Sequence, residues 1–222
     1  MIKYLRYFLF LRKHWNFKIA FHIIRHEING ENKYGINTTG YDKLDSLYEK
    51  GIDVNHASLY MPVCYDILEP FIQKIIEMGC NQVTDLGCGK GRALCVAGFH
   101  GIKNLRGIDI SKEFCDDAIK NLENISKKCS GIKYEIKVQD AMYFEIEDDT
   151  ECIFLFNPFD DVIMRGVIEN IEISLESKPR RMIIVYMNPV HGDMFEDGGY
   201  NEICYKNILG HIDGKIYVKE IN

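Results

Sequence analysis

Apolar and polar positions along the chain follow two periods in turn. From residue 59 to 78, Tyr60, Val63, Cys64, Ile67, Leu68, Phe71, Ile72, Ile75 and Ile76 recur at helical spacing. Pro62 suits the first turn of that helix, and Gly79 ends it. Gln82 to Leu86 then reads as a short strand, followed by a glycine-rich turn and a helical pattern through Ala93, Leu94, Val96 and Ala97. A second strand runs from Asn104 to Ile110, and an amphipathic helix from 112 to 126 has Ser111 as its N-cap. Ile132 to Val138 alternates as a third strand. Cys152 to Phe156 is wholly apolar, as the buried centre of a parallel sheet requires. A helix through Val162, Ile163, Val167, Ile168 and Ile171 closes at Pro179, and Met182 to Met187 is a fifth strand. The last 35 residues fit a short helix and a closing antiparallel hairpin. Five strand–helix units and a hairpin predict a mostly parallel sheet with helices on both faces.

Ahead of this core, residues 1–27 mix aromatic and aliphatic residues with charge every few positions. Their apolar runs fall short of the roughly 20 residues that a membrane-spanning helix needs. The segment is read as a helical cap over the domain, with weak peripheral contact to a membrane surface as the other expectation. A polar, glycine-bounded loop follows, Tyr34-Gly35-Ile36-Asn37-Thr38-Thr39-Gly40-Tyr41-Asp42. The domain division is set at residues 1–56 for the extension and 57–222 for the core.

Charge sharpens this division. The net charge is −6, yet residues 1–26 hold six Lys/Arg and no Asp or Glu, leaving a net of −12 on the rest. An acidic body lacks the basic footprint that nucleic-acid binding requires. The eight cysteines form no CxxC pair, and five lie in predicted strands or helices as small buried thiols. A reduced, cytoplasmic compartment is therefore expected.

The candidate chemistry sits at the strand ends. Gly87-Cys88-Gly89-Lys90-Gly91 has glycine at alternate positions, with Asp85 two residues before the first. A dinucleotide fingerprint would place its third glycine where Arg92 stands. Asp109 ends the second strand, where an acid in a doubly wound sheet bonds the ribose hydroxyls of an adenosine ligand. Asp140 follows the third strand, where a carboxylate can accept from an adenine amine. Asn157-Pro158-Phe159 follows the fourth. His56, His100 and His191 adjoin element ends, His191 being the best placed, but none stands in a catalytic constellation. No cluster has metal-ligand spacing.

With its glycine turn and its acids at Asp85, Asp109 and Asp140, the chain resembles class I S-adenosylmethionine (SAM) methyltransferases over roughly residues 34–222. More narrowly, Tyr34-Gly35-Ile36-Asn37-Thr38-Thr39-Gly40 and Leu155-Phe156-Asn157-Pro158-Phe159 resemble a little-characterised bacterial group. That group has a tyrosine-glycine-x-x-threonine loop and an asparagine-proline-phenylalanine turn. The resemblance implies a Rossmann-like seven-stranded sheet with a helical N-terminal extension, and SAM as cofactor. It implies that Asp85, Gly87, Cys88 and Gly89 hold the methionine end, Asp109 and Ile110 the ribose, and Asp140 and Ala141 the adenine. Tyr34 and Thr38 would close the cleft. The turn at Asn157 is also similar to that of amino methyltransferases, with one proline where theirs has two. On that likeness Asn157, Pro158 and Phe159 position an acceptor, more readily a nitrogen than oxygen or carbon. The acceptor itself is unnamed. Aminopropyl transfer on the same scaffold, and a module that binds SAM without transferring anything, are the alternatives.

Overall fold

The computed structural model describes residues 2–42, 60–157 and 159–221. Two helices lead the chain, α1 (Ile2–His14) and α2 (Phe17–Tyr34). Asn16 starts α2 by accepting from the Ile19 amide at 2.9 Å, and Gly35, at φ 70°, ends it in the left-handed region. Then come α3 (Tyr65–Glu77), β1 (Gln82–Leu86), α4 (Arg92–Phe99), β2 (Asn104–Asp109), α5 (Lys112–Lys128) and β3 (Lys133–Val138). A single 3₁₀ turn (Ala141–Tyr143) precedes β4 (Cys152–Phe156), α6 (Asp161–Ser177) and β5 (Met182–Met187). The chain closes with α7 (Gly192–Asp197), β6 (Asn201–Ile208) and β7 (Ile212–Lys219).

The periodicity places the start of α3 too early. The helix begins at Tyr65, with Cys64 extended before it. Pro62 disfavours helix at Met61, the residue before it, and Tyr60 is held instead in a backbone bridge with Asp42. The division at residue 56 and the reading of His56 fall outside the described residues.

The seven strands lie in the order β3-β2-β1-β4-β5-β7-β6. Strands β1 to β5 pair in parallel, and β7 and β6 antiparallel. Chain order runs outward from β1 through β2 to β3 on one side and resumes at β4 on the other. The strand order therefore reverses between β1 and β4, which leaves a crevice at their carboxyl ends.

Alternating strand residues feed two cores. On one face Val83, Phe154, Ile183 and Val185 pack with α3, α4 and α5, and with Tyr7, Leu11, Ile19, Ala20 and Ile23 of the N-terminal helices. On the other, Leu155, Ile184 and Tyr186 pack against α6 and α7 through Met164, Val167, Ile171 and Phe195. The N-terminal helices thus share a core with the sheet. Fully burying a leucine side chain contributes about 1.5–3 kcal/mol, and Leu11 is wholly buried.

Candidate active site

The crevice is shaped by the turn after β1. Gly87, Gly89 and Gly91 take φ of 82°, 51° and 75°, in the region where a side chain is strained. The amides of Gly87 and Cys88 both donate to the Ile108 carbonyl, at 2.8 and 2.9 Å. That of Gly89 donates to Asp109 Oδ2 at 2.8 Å. Asp109 Oδ1 accepts from the Ser111 amide, also at 2.8 Å. Burial raises the Asp109 carboxyl above its ordinary range, and the two amides oppose that shift. Cys88 offers only its backbone to the crevice, because its buried thiol packs toward Gly107 of β2. Ile110 is half-buried beside Asp109.

Asp85 is the unusual member of this group. It is 4% exposed, and its carboxyl accepts no hydrogen bond among the described residues. Burial, and then the nearby Asp109, push it well above the ordinary carboxylate range. A buried acid without donors is costly when charged, and it suits a site that receives a cation.

The third and fourth strand tips complete the edge. Asp140 caps the 3₁₀ turn, accepting from the Met142 amide at 2.8 Å, beside the buried Ala141. Asn157 follows β4 at φ 37° and Asn188 follows β5 at φ 48°, both left-handed without being glycine. β1 and β4 pair through Thr84–Ile153 and Asp85–Phe154. Neighbouring strands lie about 4.8 Å apart, so Asn157 stands next to the glycine turn. A cavity of about 410 Å³ opens beside it. Tyr7, Ile19 and Ile23 of the N-terminal helices and Trp15 between them line one side, with Asn157, Asn188, His211 and Asp213 among the polar groups.

Arg92, the residue that breaks the dinucleotide spacing, anchors the turn to the extension. Its guanidinium is buried, donating to Glu27 from Nη1 and Nη2 at 2.5 and 2.6 Å and to the Val63 carbonyl at 2.7 Å. Its Nε donates to Thr38 Oγ1 at 2.8 Å, and the group lies 4.1 Å from the Tyr65 ring centroid. Glu31 Oε1 accepts from the Thr38 and Thr39 amides, both at 2.7 Å, so α2 holds the following loop. Asn121 of α5 donates to the carbonyls of Asn37 and Lys90, tying that loop to the glycine turn.

The structure therefore gathers Asp85, Gly87, Cys88, Gly89, Asp109, Ile110, Asp140, Ala141 and Asn157 along one sheet edge. Thr38 reaches this edge through Arg92. Tyr34 does not join it. Its ring is buried, and its hydroxyl donates to Glu69 at 2.7 Å and lies 3.0 Å from His100 Nε2. His100 follows α4, whose eight residues carry it about 12 Å along the helix from the turn. Phe159 packs against the core on the α6 face and is absent from the cavity lining, while Pro158 lies outside the described residues. His191 precedes α7 and does not line the cavity; His211 does. Asn188 carries the same Asn-Pro dipeptide as Asn157, the one local signal for its place at the cavity.

No protein-family model and no curated protein matches the sequence. Solved structures do match in shape. Magnesium protoporphyrin IX methyltransferase from Synechocystis PCC 6803, solved with bound SAM, is 14% identical over 68% of this chain and 76% of its own, with a TM-score of 0.50. Ribosomal protein L11 methylase from Lactobacillus delbrueckii subsp. bulgaricus is 15% identical over 70% and 77%, at 0.52. The PH0226 protein from Pyrococcus horikoshii OT3 is 16% identical over 71% and 89%, at 0.51. At these identities the likeness is one of fold, and the chain has the Rossmann-like architecture that these structures share.

Proposed function

We propose that the protein is a SAM-dependent methyltransferase acting on a nitrogen of an acceptor held beside Asn157. The observation that carries this reading is Asp85, a buried carboxyl without donors among the described residues, beside a turn of left-handed glycines. The residues fit the cofactor: Asp85 would face its ammonium group, Asp109 its ribose hydroxyls, and Asp140 its adenine amine. Each oxygen of Asp109 accepts one amide and keeps a lone pair for a hydroxyl.

Bound SAM supplies an electrophilic methyl on sulfonium. The chain's own part is positional. Asn157 accepts a hydrogen bond from the acceptor amine, aiming the nitrogen lone pair at the methyl carbon. The apolar wall of the cavity excludes water. Incubation with methyl-labelled SAM and fractionated cell extract tests the reading. S-adenosylhomocysteine formation with label in one fraction is the expected result. SAM binding without turnover would make the chain a binding module, and absence of SAM binding would remove the reading.

We further propose that α1 and α2 contact an anionic membrane surface. Ile2, Leu5, Leu9, Phe17 and Phe21 are 70, 60, 52, 63 and 58% exposed, among six basic and no acidic residues over 1–26. Such a face suits interfacial adsorption. No described helix is long and apolar enough to cross a membrane.

A further inference from the structure

On the α3 side of α2, His22 and His26 lie one turn apart with ring centroids separated by 4.5 Å. Both approach the carboxylate of Asp66: His22 Nε2 is 2.5 Å from Oδ2, and His26 Nε2 is 3.9 Å from the same oxygen. Cys64, the residue before α3, is buried and makes no side-chain cap. Its Sγ, a His22 ring nitrogen and an Asp66 oxygen all lie within 4.8 Å of one another. Asp66 Oδ1 is buried without a hydrogen-bond partner among the described residues. A simple His22–Asp66 ion pair uses one oxygen and one imidazole. It leaves the Cys64 thiol and an orphaned oxygen beside the same imidazole, with the second imidazole at the rim of the cluster.

We propose that His22, His26, Cys64 and Asp66 form a binding site for a zinc-class divalent cation. Two imidazoles, a thiolate and a carboxylate suit zinc, with bond lengths of about 2.0–2.3 Å. Tetrahedral placement at those lengths puts donor atoms roughly 3.3–3.7 Å apart. His22 and Asp66 would separate by about 1 Å, Cys64 would close by roughly 1 Å, and His26 would swing in from the rim by side-chain rotation. The ion would clip α2 to the start of α3. Cys64 also lines the cavity beside Asn157, but the ligand set shares no residue with the proposed cofactor site and does not depend on the methyl-transfer reading.

The test uses the full chain, free of any histidine tag, titrated with zinc and with cobalt. One equivalent of cobalt should bind with a tetrahedral spectrum and a thiolate charge-transfer band, and Cys64→Ser should remove that band. Cys64→Ser and His22→Ala should each weaken zinc binding at least tenfold, whereas His211→Ala should leave it unchanged. Should Cys64→Ser fail to fold, His26→Ala at the half-exposed rim gives the same reading through zinc affinity. Absence of stoichiometric metal overturns the proposal, as does zinc affinity indifferent to both His22→Ala and His26→Ala.

Discussion

The Gly89 amide donates to Asp109 Oδ2 at 2.8 Å, joining the turn after β1 to the tip of β2. One carboxylate thereby holds the glycine turn and the start of the next helix together. Asp109→Ala should weaken SAM binding by roughly 1–3 kcal/mol, the cost of leaving buried donors poorly paired. Calorimetry on the folded variant checks this, and unchanged affinity removes Asp109 from the site.

Asp85 gives the unliganded protein a pH signature. A carboxyl with a raised folded pKa holds its proton more tightly folded than unfolded. Its contribution to stability is therefore most favourable near pH 4 and declines as pH rises through the raised value. Asp85→Asn should flatten this decline and raise the melting temperature at neutral pH while reducing SAM affinity. Parallel thermal scans from pH 4 to 8, with roughly equal slopes for both proteins, would exclude a raised Asp85.

The pairing of Glu27 with Arg92 predicts a stability effect far from the chemistry. Arg92→Met strands a buried carboxylate and should cost about 3–5 kcal/mol in urea unfolding. The double variant Glu27→Leu/Arg92→Met should recover part of that loss, since neither charge is left alone. A double variant as unstable as the sum of both singles would contradict the coupling.

Asn157 calls for a variant that respects its backbone. At φ 37°, alanine adds left-handed strain of about 1–2 kcal/mol, whereas Asn157→Gly removes the side chain without it. Asn157→Gly should lose most methyl transfer and change SAM affinity by less than tenfold, about 1.4 kcal/mol. Asn157→Asp keeps an acceptor oxygen and should retain more activity. Wild-type turnover in both would reduce Asn157 to a strand terminator.

For the N-terminal helices, sedimentation with anionic vesicles should show binding that fades as salt rises, because each basic residue contributes about 1 kcal/mol near such a surface. Leu9→Glu/Phe17→Glu replaces two exposed apolar residues with charge and should abolish it. Equal binding to neutral vesicles at high salt would argue against the electrostatic part.

Much of this architecture was legible because its signals are local. The apolar run at β4, the alternation in β3, the Ser111 cap and the glycine spacing after β1 each lie within a few residues. The start of α3 was misread because the apolar period continues backward through Tyr60, while Met61-Pro62 resists helix. Tyr34 looked like a loop residue, yet it ends α2 and buries its ring, a choice set by Glu69 and His100 at long range. The His22–Cys64–Asp66 cluster was invisible for a related reason. Two residues of a helix turn and two of a distant cap look ordinary until the helices meet.

The Glu27–Arg92 pair spans 65 positions, which sets an order on biosynthesis. Emerging at about 5–20 residues per second, Glu27 waits roughly 3–13 s for its partner to be made. Through that interval the inward side of α2, with Ile19 and Ile23, has no sheet to cover it. The inward side of α2, made well before the glycine turn, thus stays without its buried ionic partner until α4 has been synthesised.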